Sequence, residues 1–99
     1  MIRGTTPRLE FEIPFDTEII EEAYVTMAQN KEVVIDKPLE ECNCDGKKIV
    51  CVLTQEETLM LACGCKTEIQ IRVRTADGNA IASEIIKVDT ERILKDGVI

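Results

Sequence analysis

An alternation of apolar and polar residues over Lys66–Arg74 is the clearest pattern along this chain. Successive side chains of a β-strand point to opposite faces, so the alternation predicts a strand with one face for a core. Ala76–Asn79 (ADGN) predicts a tight turn, because Asp, Gly and Asn tolerate positive φ angles. Ala80–Val88 then resumes in β-branched residues. We therefore predict an antiparallel hairpin whose first strand turns inward the residues Thr67, Ile69, Ile71 and Val73.

Other segments also have strand patterns. Arg8–Ile13 alternates and is followed by a proline, which has no N–H to donate to a ladder. Ala23–Gln29 and Glu32–Asp36 are predicted to pair through a two-residue turn at Asn30-Lys31. Ile49–Leu53 is short, apolar and β-branched, which is typical of a central strand.

Together these elements predict an all-β fold, a small antiparallel β-sandwich with immunoglobulin-like order; a small barrel is the alternative. One short helix is expected near residues 55–62. Thr54–Glu57 (TQEE) fits the capping box of a helix start, and Gly64 lies just beyond the expected end. In the core, Phe11 and Val50 are expected to meet the inward face of the predicted hairpin.

Two segments between the strands have weaker patterns. Asp16–Glu22 is interpreted as a bent loop with Ile19 and Ile20 under the core, because a helix this short is marginal in isolation. A helical turn capped by Asp16 or Thr17 is the alternative. Lys37–Lys48 is interpreted as a loop, since it holds several turn-forming residues.

Charge and composition exclude several functions. The formal net charge is −7, and residues 1–65 carry the excess, with 6 Lys and Arg against 13 Asp and Glu. Phosphate backbones need a basic surface, so we predict no nucleic-acid partner. The absence of His removes the usual general base, so we predict no enzyme. There is no long apolar run and no signal-peptide pattern, which predicts a cytoplasmic protein with no membrane segment and disfavoured disulfides.

Five cysteines form the one constellation that suggests chemistry. Cys42-Asn43-Cys44 and Cys63-Gly64-Cys65 are two Cys-x-Cys pairs, while Cys51 is predicted to be core. Four thiolates at Cys42, Cys44, Cys63 and Cys65 could hold zinc or an iron–sulfur cluster if Leu59–Cys65 were a strand beside Ile49–Leu53. If residues 55–62 are helical, the two pairs lie far apart. The capping box favours the helix, so we predict no metal and no cofactor, and the metal-binding or thiol protein remains the alternative.

Several motifs resemble, in order, a known family. They are the opening IRGTTP, the LTQEETL box, EIQIRVRT followed by DGNAIAS, and the ending ILKDGVI. Such motifs are similar to small proteins encoded among the tail genes of phages and prophages of Firmicute-type bacteria. The resemblance covers nearly the whole chain. It implies a virion or tail-region structural protein with a β-sandwich fold, present in the cytoplasm of the bacterial host and then in the virion. It implies no catalytic residues, and the Cys-x-Cys pairs depart from its pattern.

The ends of the chain suggest assembly. We divide it into an extended leader (1–7), a sandwich domain (8–92) and a C-terminal tail (93–99), whose apolar residues are Ile93, Leu94, Val98 and Ile99. Laying these residues on the strand edge of a neighbour would bury apolar area and add main-chain hydrogen bonds. We predict that the tail, with the leader, docks on another copy of the chain or on other phage tail proteins. The alternative is that the tail folds back on its own domain or is disordered.

Overall fold

In a computed structural model that describes residues 1–99, the chain forms two antiparallel sheets packed face to face. The strands are β1 (Arg8–Glu12), β2 (Ile20–Gln29), β3 (Glu32–Pro38), β4 (Asn43–Asp45), β5 (Lys48–Val52), β6 (Lys66–Thr75), β7 (Ala80–Ala82) and β8 (Ile86–Asp89). The smaller sheet has the order β1-β5-β4. The larger has the order β3-β2-β6-β7, and β8 pairs with the first half of β6. The predicted small all-β sandwich is confirmed.

The single α-helix, α1 (Gln55–Leu59), carries the chain from β5 in the smaller sheet to β6 in the larger. Its predicted capping box is present: the Thr54 hydroxyl accepts from the Glu57 N–H, and the Glu57 carboxylate accepts from the Thr54 N–H. The helix is shorter than predicted, and at five residues it cannot span a bilayer. The strand order differs from that of an immunoglobulin domain. Here the second and third strands, β2 and β3, are neighbours in one sheet, whereas in an immunoglobulin domain the second and third strands lie in opposite sheets.

The predicted hairpins are both formed. The inward residues of β6 are all buried and the turn between β6 and β7 lies at the predicted Ala76–Asn79. The returning strand is interrupted at Ser83, whose hydroxyl accepts from the Ile71 N–H over 3.1 Å, in place of a regular ladder contact. The turn between β2 and β3 has φ angles of 51° at Asn30 and 67° at Lys31, as a tight two-residue hairpin turn requires.

The core lies between the two inner faces. Its thirteen residues are Phe11, Ile13, Ala23, Val25, Met27, Ile35, Ile49, Cys51, Leu53, Leu61, Ile69, Ile71 and Val73. Val50 is buried but is not among them, contrary to the prediction. Ile49 and Cys51 on either side face the core, so strand alternation turns Val50 to the opposite face. An unbroken apolar run has no two-residue period from which its faces could be told apart.

The weaker segments contain more structure than predicted. Thr17–Ile19 is a short 3₁₀ turn capped by Asp16, whose carboxylate accepts from the Glu18 N–H over 2.9 Å. Ile20 already begins β2 and packs half-buried against the core, as predicted, whereas Ile19 is exposed, so the prediction is wrong for Ile19. Lys37–Lys48 is also not a simple loop, because it includes the last two residues of β3 and the whole of β4.

Candidate functional site

The leader is built into the sandwich. Ile2 forms a parallel bridge with Glu91, and the Arg3 N–H donates to the Glu91 carbonyl over 3.1 Å. The Thr58 hydroxyl of α1 donates to the Thr5 carbonyl over 2.8 Å. These contacts join the leader to the segment after β8 and to α1, so residues 1–7 lie against their own domain.

Arg3 connects the leader to both α1 and the tail. Its guanidinium donates to the Leu61 carbonyl over 2.6 Å and to the Leu59 carbonyl over 2.9 Å. Carbonyls near a helix C-terminus have no partner within the helix, and a cation there also complements the helix dipole. The third contact is an ion pair of 2.9 Å with Asp96 in the tail. One half-buried side chain thus fastens the tail beside the end of α1.

The tail folds back over α1 and the leader. The Ile99 N–H donates to Gln55 Oε1 over 2.9 Å, and Gln55 Nε2 donates to the Ile99 carbonyl over 3.1 Å. Ile93 is half-buried against Gly4, where an added Cβ would lie only 2.9 Å from Ile93 Cδ1. A glycine with φ of +74° permits that close approach.

The remaining apolar side chains of the tail point to solvent. Leu94 is 93% exposed, Ile99 is fully exposed and Val98 is more than half exposed. The four residues predicted for interaction therefore divide: Ile93 packs on the domain, whereas Leu94, Val98 and Ile99 remain unpacked. Polar contacts hold the tail backbone in place while its apolar side chains are left uncovered.

A second uncovered apolar strip lies along the edge of the larger sheet. Ile81 on β7, Ile86 on β8 and Ile85 between them are all 40% exposed or more. The edge of a sheet presents unpaired N–H and C=O groups to which another chain can pair, although β7 and β8 have only three and four residues. This strip was not predicted from the sequence, although the β-branched run after the Ala76–Asn79 turn is its signal.

The four cysteines of the two Cys-x-Cys pairs do not meet. Cys63 and Cys65 follow α1. Cys42 immediately precedes β4 of the smaller sheet, and Cys44 lies within β4. No three His, Cys, Asp or Glu side chains lie close enough together to hold a metal ion. Cys51 is fully buried in the core, as predicted.

We expect protein purified under reducing conditions to contain much less than one zinc or iron per chain. The physical reason is that a structural zinc site needs four ligands converging at about 2.0–2.3 Å. Elemental analysis by mass spectrometry tests this expectation. Near-stoichiometric metal that is lost in a Cys42→Ser/Cys63→Ser variant would show that the two pairs converge after all.

A partly buried ion pair was not foreseen from the sequence. Lys37 Nζ of β3 lies 2.9 Å from Glu57 Oε1 of α1 and donates to the Val52 carbonyl over 3.1 Å. Burial by itself would lower the pKa of Lys37, but the hydrogen bond and charge of Glu57 outweigh it and the pKa is raised. Burial likewise opposes ionisation of Glu57, yet hydrogen bonds from Thr54 and Lys37 lower its pKa. The pair joins the larger sheet to the start of α1.

No protein-family model, no curated protein and no solved structure matches this chain.

Proposed function

We propose that the protein is a non-catalytic structural module of a phage or prophage virion or tail region, and that it works by protein–protein assembly. The observation that supports this most strongly is the tail, on which Leu94, Val98 and Ile99 are uncovered while the backbone is fastened to the domain. The sequence resemblance to phage tail-region proteins supplies the setting.

Burial of the three exposed side chains against a partner supplies the free energy for assembly. Burying one large aliphatic side chain contributes about 1.5–3 kcal/mol, so three contribute a substantial part of a weak interface. Isolated exposed apolar residues are common on protein surfaces. Here, however, they lie within six residues of one another on a segment whose position is already fixed. That fixed position lowers the ordering cost of binding.

The partners that fit are other copies of this chain, other tail proteins, or both. The acidic excess disfavours nucleic acid and an anionic membrane surface. The protein would be made in the cytoplasm of the bacterial host and then be incorporated into the virion, where an oligomeric ring or adaptor would present many tails at once.

Sedimentation velocity of the full chain across micromolar concentrations tests assembly through the tail. We expect concentration-dependent association of the full chain, and a single monomeric species for Leu94→Ser/Val98→Ser/Ile99→Ser. Replacing side chains is better than removing the tail, because the contacts of Arg3 with Asp96 and of Gln55 with the Ile99 backbone remain. Lys95→Ser, in the same segment, is the matched control and should associate like the full chain.

A heterologous partner requires a second measurement. If the full chain and the triple variant sediment as the same species, self-assembly through the tail is excluded. Binding to purified tail proteins encoded beside it would then be measured for the full chain, the triple variant and Lys95→Ser. Equal binding by all three, or none by any of them, would contradict the proposed role of the tail.

A further inference from the structure

The β4–β5 hairpin places two cysteines opposite each other. Its register pairs Asp45 with Lys48, Cys44 with Ile49 and Asn43 with Val50. The ladder ends there, but Cys42 is also extended, with φ of −113° and ψ of 164°, and continuing the same register by one residue sets it opposite Cys51. Cys42 is half-buried and packs against the core, of which Cys51 is a fully buried member. The Cys42 thiol donates to the Pro38 carbonyl over 3.6 Å.

The type of position also suits a covalent bond. In an antiparallel ladder, hydrogen-bonded and non-hydrogen-bonded pairs alternate. Asp45 and Lys48 flank a two-residue turn and form a hydrogen-bonded pair, so alternation makes Cys42 and Cys51 a non-hydrogen-bonded pair. In agreement, the Cys42 N–H donates to the Leu39 carbonyl over 2.9 Å and not to β5. Cα atoms of such pairs lie about 4.5 Å apart, within the range of about 4.4–6.8 Å that disulfides span.

We propose that Cys42 and Cys51 are an oxidation site at which a cross-strand disulfide forms and ties the edge strand β4 to the central strand β5. This site is independent of the tail and of the proposed assembly. The other three cysteines, Cys44, Cys63 and Cys65, stay outside it. Cys44 lies within β4, two residues after Cys42, and is opposite Ile49, so its own cross-strand neighbour is not a cysteine.

The oxidant is a low-molecular-weight disulfide such as oxidised glutathione. The thiolate of Cys42, the more accessible of the two, attacks one sulfur of glutathione disulfide; the S–S bond breaks and one glutathione thiolate leaves. Cys51 then loses its proton and attacks Cys42 Sγ, which displaces the second glutathione. The two protons from the protein thiols end on the two glutathiones. Two protein thiols are oxidised by two electrons, and one glutathione disulfide is reduced to two glutathiones.

The surroundings make this site slow to react near neutral pH. Burial raises the pKa of Cys51 to about 12, and it also raises the pKa of Cys42. The positive charge of Lys37 lowers the pKa of both thiols. Glu41 and Cys44 raise the pKa of Cys42 further, and Glu57 raises the pKa of Cys51 further. Because the thiolate is the attacking form, the rate should increase roughly tenfold per pH unit between pH 7 and 9.

The test is made on the full chain with Cys44→Ser/Cys63→Ser/Cys65→Ser, which retains only the proposed pair. After equilibration with oxidised and reduced glutathione at pH 9, we expect a loss of about 2 Da, two thiols protected from alkylation, and one cross-linked peptide. The matched control, Cys42→Ser/Cys51→Val/Cys65→Ser, retains Cys44 and Cys63. It should carry glutathione on its exposed thiols and form no internal bond.

Two measurements decide the outcome. We expect the equilibrium constant for the internal disulfide against glutathione to be at least about tenfold larger in the folded pair variant than in urea, because the fold holds the sulfurs together. In the unaltered chain, peptide mapping should find Cys42 joined to Cys51 in preference to every other pairing. Free or only glutathionylated Cys42 and Cys51 after equilibration, or a constant no larger than in urea, would overturn the proposal.

Discussion

The Ile71→Ala variant is expected to lower the free energy of unfolding by about 2–5 kcal/mol. Ile71 lies in the middle of β6, the strand that pairs with β2, β7 and β8, and it is only 4% exposed in the core. Removing three carbon atoms there forfeits their burial and leaves a cavity between the two sheets, because a close-packed core relaxes only in part. Urea denaturation followed by circular dichroism measures the change.

Arg72→Ala is the matched control for this core substitution. Arg72 is the next residue on β6, and its side chain is exposed on the opposite face of the sheet. Substitutions at such surface positions usually change stability by less than about 0.5 kcal/mol. Equal denaturation midpoints for the two variants would mean that the apolar face of β6 does not face the core.

The sandwich and its hairpins could be predicted because their signals are local. The alternation in β6 fixes which face is buried, and Asn30-Lys31 fixes the length of a turn whose backbone has positive φ angles. The capping box at Thr54 likewise depends on groups only three residues apart. In each case the residues that decide the structure are neighbours in sequence, so the pattern alone contains the answer.

The errors arose where tertiary contacts decide. Val50 could not be assigned to a face until the burial of Ile49 and Cys51 showed which side of β5 meets the core. β4 has only three residues, all exposed, and it exists because it pairs with β5. Neither has a periodic signal of its own, so register against a neighbouring strand supplies what the sequence lacks.

The candidate sites were predictable only in part for the same reason. The apolar character of Leu94, Val98 and Ile99 is visible in the sequence, but the contacts that hold their backbone come from Arg3 and Gln55, which are distant along the chain. The opposition of Cys42 and Cys51 likewise depends on the register of a hairpin that was interpreted as a loop. In both cases the residue types can be recognised in the sequence, but contacts between distant parts of the chain bring them together into a site.

The Glu57→Gln variant is expected to lower the free energy of unfolding near neutral pH by about 3–5 kcal/mol, because it leaves the Lys37 ammonium buried without its counter-charge. The Lys37 side chain is only 6% exposed, and its Nζ is 2.9 Å from Glu57 Oε1. Glutamine has nearly the shape of glutamate and its amide oxygen can still accept from the Thr54 N–H, so the capping contact is retained. The loss therefore reports the charge.

A double substitution separates the pair from the surrounding structure. In Lys37→Met/Glu57→Gln the unpaired cation is gone, so most of the stability lost in Glu57→Gln should return. Lys37→Met alone leaves a carboxylate that still accepts from the Thr54 N–H and is more accessible to water than Lys37. It should therefore destabilise less than Glu57→Gln. Urea denaturation of the three variants and the unaltered chain gives the coupling energy directly.

The pH dependence of the same comparison gives an independent check. The pKa of Glu57 in the folded chain is below its ordinary value of 4.5, so the pair contributes fully above that value, and the contribution is lost as pH falls through the folded pKa. The pKa of Lys37 is raised above 10.5, so its contribution is present below that value and is lost as pH rises through the higher folded pKa.

Between roughly pH 5 and 10 both groups are charged. The stability difference between the unaltered chain and Glu57→Gln should therefore be constant in this window and should shrink at lower pH, where a protonated Glu57 resembles glutamine. A difference that stays the same down to pH 2, or one below about 1 kcal/mol at pH 7, would show that the buried cation does not depend on Glu57.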